Sequence, residues 1–375
     1  NDLIRLQIVN ARVFKALAEA EKIPDHPYWG YTVYESFEQY CAAVTFPEYP
    51  DYQIPDKDKL FEQVHAGWLG EIIGSALGTA VEGFKSSRLW EVFGEIHDYV
   101  KPPETLNDDI TFELAFLEAF REKGYDLTAD DIADKWIGYI PFAYTAEGVA
   151  LNQLRQGIYP PESAYVANPY REMIGAAMRA AVCGTIAPGN PKLAAELAWK
   201  DGSISHHNNG ILTEIFNAVI VSMAYVEKDI RGILDKACDM IPKDSEFYSV
   251  ITFARKACET SATYREACEK CEEKYKEYNW VRAYPNMAFE IVAMHFAGND
   301  FEKAMTILMM AGQDNDCTGG PIGHAYGTLL GKEAIGDKFI LPLQDQLDTY
   351  VRTMESQTIT SLSEKTTEAI LKYNK

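Results

Sequence analysis

The sequence predicts an all-α protein, because apolar residues recur at helical spacing along most of the chain and strand alternation is scarce. Ile211, Ile215 and Ala218 share one helical face, and Leu114 and Leu117 repeat in the same way in an earlier segment. Hydrophobic residues make up 47% of the 375 residues, which is sufficient for a large core. We therefore expect a single compact helical domain.

Start and stop signals support these helices. Thr128 followed by Asp131 is typical of a helix N-terminus, and Gly124 and Gly298 follow the ends of apolar periodic runs. Residues 1–60 differ in composition, since a helical segment is followed by a stretch rich in aromatic residues and proline. The predicted organisation is an N-terminal extension over 1–60 that packs on a main helical domain over 61–375.

The charge balance excludes several function classes. Lys and Arg number 35 against 56 Asp and Glu, which gives a net charge of −21. Such a surface repels nucleic acid and anionic lipid and attracts cations, so we expect neither nucleic-acid nor membrane partners. No apolar run approaches the roughly 20 residues of a membrane helix. The odd number of cysteines, seven, favours reduced thiols and a cytoplasmic location, with a removed signal sequence as the alternative.

A glycine-rich helix forms the first chemically informative segment. Gly67, Gly70, Gly74 and Gly78 fall three or four residues apart and therefore lie along one helical stripe. The stripe permits close approach either of another helix or of a ligand, and the sequence leaves both alternatives open. Glu82 follows this stripe, where exclusion of water would raise the basicity of its carboxylate, so it is a candidate proton donor or acceptor.

Two further segments each place a pair of acids at a helix start. Asp108 and Asp109 precede an apolar helix, and capping accounts for only one of them because consecutive helical side chains diverge by about 100°. Asp314 and Asp316, with Thr318 after them, form a cluster of hard oxygen donors that suits Mg²⁺, Mn²⁺ or Ca²⁺, although such residues also occur in plain turns. The two pairs can meet around one metal ion.

The order of these motifs resembles the ADP-ribosylglycohydrolase family, the group of the dinitrogenase reductase-activating glycohydrolase and the ADP-ribosylarginine hydrolases. The family's GDALG, TDD and GGDTDT motifs correspond to residues 74–78, 107–109 and 312–317. Residues 175–179 and 201–206 are similar to two further family motifs, G-A-x-M-R and D-A-x-x-T-H. The resemblance covers about 64–330, and the chain looks like a divergent member.

The resemblance implies hydrolysis at the anomeric carbon of an ADP-ribosyl group by an all-helical domain that holds one or two Mg²⁺ ions, with Mn²⁺ as the alternative. The implied metal ligands are Asn107, Asp108, Asp109, Asp314, Asp316, Cys317 and Thr318. The implied catalytic residues are Glu82, Asp109 and Asp316. The residues expected to contact substrate are Gly78, Gly175, His206, Tyr284 and Gly319. For His206 the alternative is structural hydrogen bonding.

Three departures from the family pattern keep a second function class open. Ser75 replaces an aspartate, Asn107 replaces a threonine, and Cys317 places a thiol, a poor Mg²⁺ ligand, where the family has a hydroxyl. The second metal is then weak, absent or held by Thr318 instead. The leading hypothesis is a metal-dependent hydrolase that acts on a small ADP-ribosyl compound or an ADP-ribosylated protein. The alternative is an inactive binding protein with the same fold.

Overall fold

The computed structural model describes residues 2–374, and they form twenty-one α-helices with two short strands. The prediction of an all-α fold is confirmed. The first eleven helices are α1 (Leu3–Glu19), α2 (Phe37–Ala43), α3 (Lys57–Gly78), α4 (Ser86–Phe93), α5 (Asp108–Lys123), α6 (Ala129–Tyr139), α7 (Thr145–Leu154), α8 (Glu162–Tyr165), α9 (Gly175–Met178), α10 (Ala181–Thr185) and α11 (Pro191–Gly202). The others are α12 (Asn209–Ala224), α13 (Ile230–Asp239), α14 (Glu246–Glu259), α15 (Tyr264–Lys274), α16 (Ala283–Ala297), α17 (Phe301–Ala311), α18 (Asn315–Leu330), α19 (Lys332–Ile335), α20 (Asp337–Ile340) and α21 (Ile359–Tyr373).

The remaining regular structure is short. Strands β1 (Gln346–Asp348) and β2 (Ser356–Thr358) pair antiparallel, with Leu347 opposite Gln357. Single 3₁₀ turns occupy Pro27–Gly30, Gly124–Asp126 and Leu341–Leu343. Among residues 2–374, no helix is long and apolar enough to cross a membrane.

The predicted helix boundaries follow from local capping. Thr128 and Asp131 form a reciprocal capping box at the start of α6, as the sequence indicates. Gly124 and Gly298 end α5 and α16 with φ of 63° and 56°, a conformation that glycine adopts without strain. Both glycine predictions are confirmed.

The glycine stripe of α3 packs against α18, and the two helices run antiparallel. A Cβ at Gly74 would lie 2.0 Å from the carbonyl oxygen of Gly319, and a Cβ at Gly70 would lie 2.1 Å from that of Gly323. Only glycine permits backbones to approach so closely. This contact brings the end of α3 beside the start of α18, which is where the acidic segments lie.

Helix α12 forms the centre of the molecule. All sixteen of its residues are buried, the polar Glu214 and Asn217 among them. It packs against α9, α10, α11 and α18. These helices carry several of the motifs that resemble the family, so the core fixes their relative positions.

The N-terminal segment has two parts with different surroundings. None of the residues of α1 is buried. Residues 34–49 instead contact the body of the molecule through three tyrosine hydroxyls: Tyr34 donates to Asp244 at 2.6 Å, Tyr40 to the carbonyl of Met240 at 2.9 Å, and Tyr49 to Glu227 at 2.6 Å.

Candidate functional site

Three helix ends meet at one place: the end of α3, the start of α5 and the start of α18. A Cβ at Gly78 would lie 2.1 Å from the backbone nitrogen of Asp316, so α3 and α18 are in direct contact here. The side chain of Ser75 on α3 donates to Asp109 Oδ2 at 3.1 Å, which joins α5 to the same point. The five predicted acids are therefore brought into one cluster, and we call it the acidic centre: Glu82, Asp108, Asp109, Asp314 and Asp316.

The start of α5 leaves both of its aspartates without a capping role. Asn107 is the N-cap residue, and its side-chain oxygen accepts a hydrogen bond from the backbone nitrogen of Asp109 at 2.8 Å. The expectation that capping accounts for one of the two aspartates is therefore wrong, because the amide of Asn107 takes that position. Asp108 and Asp109 remain available to the acidic centre.

The start of α18 supplies a compact donor set. Ligand atoms of Asp314, Asp316 and Cys317 all lie within 4.8 Å of one another. Asp316 accepts a hydrogen bond from the backbone nitrogen of Cys317 at 3.0 Å, and Cys317 Sγ lies 3.6 Å from Asp109 Oδ1. The two acidic pairs, roughly 200 residues apart in the sequence, thus converge on the same small volume.

Glu82 is held beside this donor set by backbone pairing. Gly83 donates to the carbonyl of Gln313 at 2.7 Å, and Gln313 donates to that of Phe84 at 2.9 Å. Gly312 has φ of 78°, and a Cβ there would lie 2.5 Å from the carbonyl oxygen of Phe84. Glycine at 312 is therefore required for the approach that places Glu82 next to Asp316.

Mutual repulsion and burial shift the ionisation of the acidic centre. Burial, followed by the charges of Asp316 and Asp108, raises the pKa of Glu82 to about 7. Burial and Asp316 likewise raise the pKa of Asp108 to about 7. The pKa values of Asp109 and Asp314 lie well above the usual range, again because of burial and then Asp316. Burial also raises the pKa of Asp316.

The residues fit a divalent cation. None of the ion pairs formed by residues 2–374 includes an acid of this centre. Asp314 is only 3% exposed, and its carboxylate pairs with the carboxyl of Asp316 and the thiol of Cys317. A buried carboxylate that faces other carboxylates without a cation is costly, and a bound metal ion would compensate it.

A buried ionic network lies next to the acidic centre. Arg179, which is fully buried, donates to Glu147 at 2.7 Å and to Asp201 at 2.5 Å. The charge of Glu147 contributes to the raised pKa of Asp108, so Glu147 connects the network around Arg179 with the acidic centre. Gly175 permits this arrangement, because a Cβ there would lie 2.0 Å from Glu147 Oε1.

Several residues predicted to contact substrate are buried. His206 is fully buried with Nδ1 2.8 Å from Ser205 Oγ, and burial and Arg179 hold its pKa well below the usual value. The hydroxyl of Tyr284 donates to Glu246 at 2.6 Å. Gly78 and Gly319 lie in the contact between α3 and α18. These residues have packing or hydrogen-bonding contacts of their own, and their contact with substrate stays a prediction.

Two exposed aromatic side chains, Phe142 and Trp280, lie next to residues that neighbour the acidic centre. Phe142 stacks on Tyr350 with ring centroids 4.5 Å apart, and Tyr350 is close enough to Asp108 that its pKa is raised by that charge in addition to burial. Trp280 lies 3.9 Å from the position of a Cβ at Gly83, the residue after Glu82. Phe142 and Trp280 are both exposed.

Sequence reasoning did not identify Glu147 or Tyr350 as residues of this region. Glu147 is a lone carboxylate within a helix, and Tyr350 follows the short strand β1. Neither has a local motif, and each reaches the acidic centre only through contacts between segments distant in sequence. Ser75, in contrast, could be identified from the sequence, because it follows Gly74 in the glycine-rich helix.

A separate cleft of about 590 Å³ lies along residues 46–54. Its lining includes Tyr49, Tyr52, Tyr125 and Asn190, and it contains none of the five acids. The acidic centre is the stronger candidate site, because it gathers reactive groups and their shifted pKa values in one place.

The fold and the acidic centre together define an all-α protein with carboxylates from three helix ends gathered at one point. The sequence profile of the ADP-ribosylglycohydrolase family matches residues 56–372, and the chain belongs to this family. A solved structure described as an ADP-ribosylglycohydrolase-related protein complex shares the fold, with a TM-score of 0.60 and 18% sequence identity over 85% of this chain and 100% of the other. A comparison with curated proteins found no match.

Proposed function

We propose that the chain is a divalent-metal-dependent hydrolase that cleaves the C1 linkage of a ribosyl group in an ADP-ribosylated or related substrate. The observation that carries the proposal is the convergence of five carboxylates, none of which forms an ion pair with a Lys, Arg or His side chain within residues 2–374. Membership of the ADP-ribosylglycohydrolase family supports hydrolytic activity of this kind.

The proposed metal ligands are Asp108, Asp109, Asp314 and Asp316. When bound, a divalent cation would grip the vicinal 2- and 3-hydroxyls of a ribose and lower the pKa of a ligated water. Asn107, proposed as a further ligand, already uses its side-chain oxygen in capping α5. We infer that its main contribution is to keep Asp109 in position.

Glu82 is the proposed proton-transfer residue. Burial is the main cause of its raised pKa and persists when a cation neutralises Asp316 and Asp108, so Glu82 can exchange a proton closer to neutral pH than an ordinary glutamate. In the reaction, the oxygen of water bonds to C1 as the bond from C1 to the leaving group breaks. The water loses one proton, and the leaving group receives one. Glu82 is half-buried beside Asp316 and can serve one of these transfers.

The two exposed aromatic side chains support a nucleotide-containing substrate. Phe142 stacks on Tyr350 and Trp280 lies beside Gly83, and both rings are exposed, so a planar base can stack on either of them. An ADP-ribosyl group contains both a base and a terminal ribose at its two ends.

The test is release of free ADP-ribose from ADP-ribosylated arginine, ADP-ribosylated serine and nucleotide substrates in the presence of Mg²⁺ or Mn²⁺. We expect Asp316→Ala to abolish turnover, because it removes a proposed metal ligand whose charge acts on both Asp108 and Asp109. We expect Glu82→Gln to lower the rate by about 10²–10⁴ while metal binding is retained. Circular dichroism would verify that both variants remain folded.

The outcome also separates the two function classes. A wild-type protein that binds metal and cleaves none of these substrates contradicts the ADP-ribose hydrolase proposal. Binding of ADP-ribose without cleavage would then support the inactive binding protein, for which Ser75 and Cys317 are the motivating departures.

A further inference from the structure

We infer that Cys317 is a sulfur ligand of the metal at the acidic centre, and that the centre therefore prefers a borderline transition-metal ion such as Co²⁺ or Zn²⁺ to Mg²⁺. The inference rests on the proposed function, because it assigns the class of metal to the site proposed there. Its basis is the position of one thiol among four aspartates.

The thiol of Cys317 faces the donor set. Cys317 is 8% exposed, and its ligand atom lies within 4.8 Å of those of Asp314 and Asp316. Its sulfur also lies 3.6 Å from Asp109 Oδ1, a carboxylate oxygen of the other acidic pair. The thiol is thus between the two pairs and not at the margin of the centre.

The distance from sulfur to oxygen suits a shared metal ion. Two ligands with bonds of about 2.3 Å to sulfur and about 2.0 Å to oxygen, at a tetrahedral angle, are separated by about 3.5 Å. The thiol of Cys317 donates a hydrogen bond to Asp109 Oδ1 across 3.6 Å, which is close to this separation. A metal ion that replaces the thiol proton would therefore require little movement of the sulfur or the oxygen.

A second observation points to a cation at this position. Asp314 is 3% exposed, and its carboxylate pairs with the carboxyl of Asp316 and the thiol of Cys317, which belong to the same donor set. It lies in the same donor set as the thiol. A cation held by Cys317 and Asp316 would neutralise it.

The neighbouring side chains disfavour a hard ligand in place of the thiol. The hydroxyl of Thr318 donates to the carbonyls of Asp314 and Asn315, at 3.1 and 3.2 Å, and so is turned towards its own helix. On the other side, Met178 Sδ lies 3.6 Å from Cys317 Sγ. The thiol thus has a polarisable sulfur on one side and carboxylates on the other.

Metal selectivity follows from ligand chemistry. A thiolate binds borderline and soft ions well and Mg²⁺ poorly, whereas carboxylates accept both classes. On binding, the S–H bond breaks, its proton passes to solvent, and a bond from sulfur to metal forms. A centre of carboxylates alone would lack this preference.

The test is titration of the purified full-length protein with Co²⁺, followed by absorption spectroscopy and calorimetry. We expect a sulfur-to-cobalt charge-transfer band in the near ultraviolet as Co²⁺ binds. Cys317→Thr should bind Co²⁺ without this band. Cys41→Ser is the matched control, because Cys41 lies on α2 outside the acidic centre, and it should keep the band.

Competition with Mg²⁺ gives a second readout. We expect a thousandfold excess of Mg²⁺ to leave the cobalt band of the wild type in place, and the same excess to displace Co²⁺ from Cys317→Thr in calorimetry. Binding of Co²⁺ to the wild type without the band, or equal displacement in both proteins, overturns the inference and leaves the proposed metal centre intact. Absence of Co²⁺, Mn²⁺ and Mg²⁺ binding in calorimetry overturns both.

Discussion

In the absence of divalent cations, we expect the free energy of unfolding of the protein to fall as the pH rises from 5 to 8. Burial and Asp316 raise the pKa of Asp108 from 3.8 to about 7 in the folded state. The folded protein therefore keeps a proton that the unfolded chain has already released. The stabilisation by the retained proton is complete below the pKa that Asp108 has in the unfolded chain, and it is lost as the pH rises through about 7, the pKa of Asp108 in the folded protein.

The magnitude follows from the shift. Between pH 5 and 7 the free energy of unfolding falls by about 1.4 kcal/mol per pH unit, so Asp108 alone accounts for about 3 kcal/mol. Glu82 acts in the same direction with a smaller effect, because its pKa rises less, from 4.5 to about 7. A chain of 375 residues has an unfolding entropy of about 0.8 kcal/mol/K, so we expect Tm to fall by about 4 °C.

The assay is thermal unfolding at pH 5, 6, 7 and 8, with chelator and with excess Mn²⁺. Bound metal stabilises the ionised acids, so the difference in Tm between the two conditions should widen as the pH rises. Asp108→Asn, which removes the titrating group, should show a smaller fall in chelator. The reasoning is refuted if chelated wild type is equally stable at pH 5 and pH 8, or if Asp108→Asn shows the same fall.

Three other predictions concern packing and substrate binding. Gly74→Ala should destabilise the protein by at least about 2 kcal/mol in urea unfolding, because the added Cβ would lie 2.0 Å from the carbonyl oxygen of Gly319. Gly138→Ala is the control: the space around Gly138 is open, and this substitution in α6 should stabilise the protein by about 0.5–1 kcal/mol. Arg179→Met should cost about 3–5 kcal/mol, since two buried carboxylates lose their cation; a loss below about 1 kcal/mol would contradict this. Phe142→Ala should weaken ADP-ribose binding about tenfold in calorimetry through loss of base stacking, and unchanged affinity would exclude that contact.

The fold class and the acidic segments were predictable because their signals are local. Helical periodicity, the capping box at Thr128 and the glycine stripe of α3 each require only neighbouring residues. The stripe left open whether a helix or a ligand approaches, and the structure shows α18 there. The prediction that an aspartate caps α5 was wrong, since Asn107 takes that position. Asn and Asp are almost equivalent caps, and tertiary contacts decide between them.

The surroundings of the acidic centre were not predictable in the same way. Glu147 and Tyr350 reach it from segments without a motif, and their contribution depends on tertiary packing. His206 was a candidate substrate contact because it ends the segment that is similar to the family motif D-A-x-x-T-H, and the structure buries it beside Ser205. Its proposed contact with substrate remains untested.

Calorimetric titration of ADP-ribose into the protein, once with saturating Mn²⁺ and once with chelator, tests most directly whether the acidic centre holds a cation that binds the ribose. We expect binding with metal and at least tenfold weaker binding with chelator, with the difference abolished in Asp316→Asn. Equal affinity under both conditions in the wild type would contradict the account, because ribose recognition would then be independent of the metal and of the carboxylates that hold it.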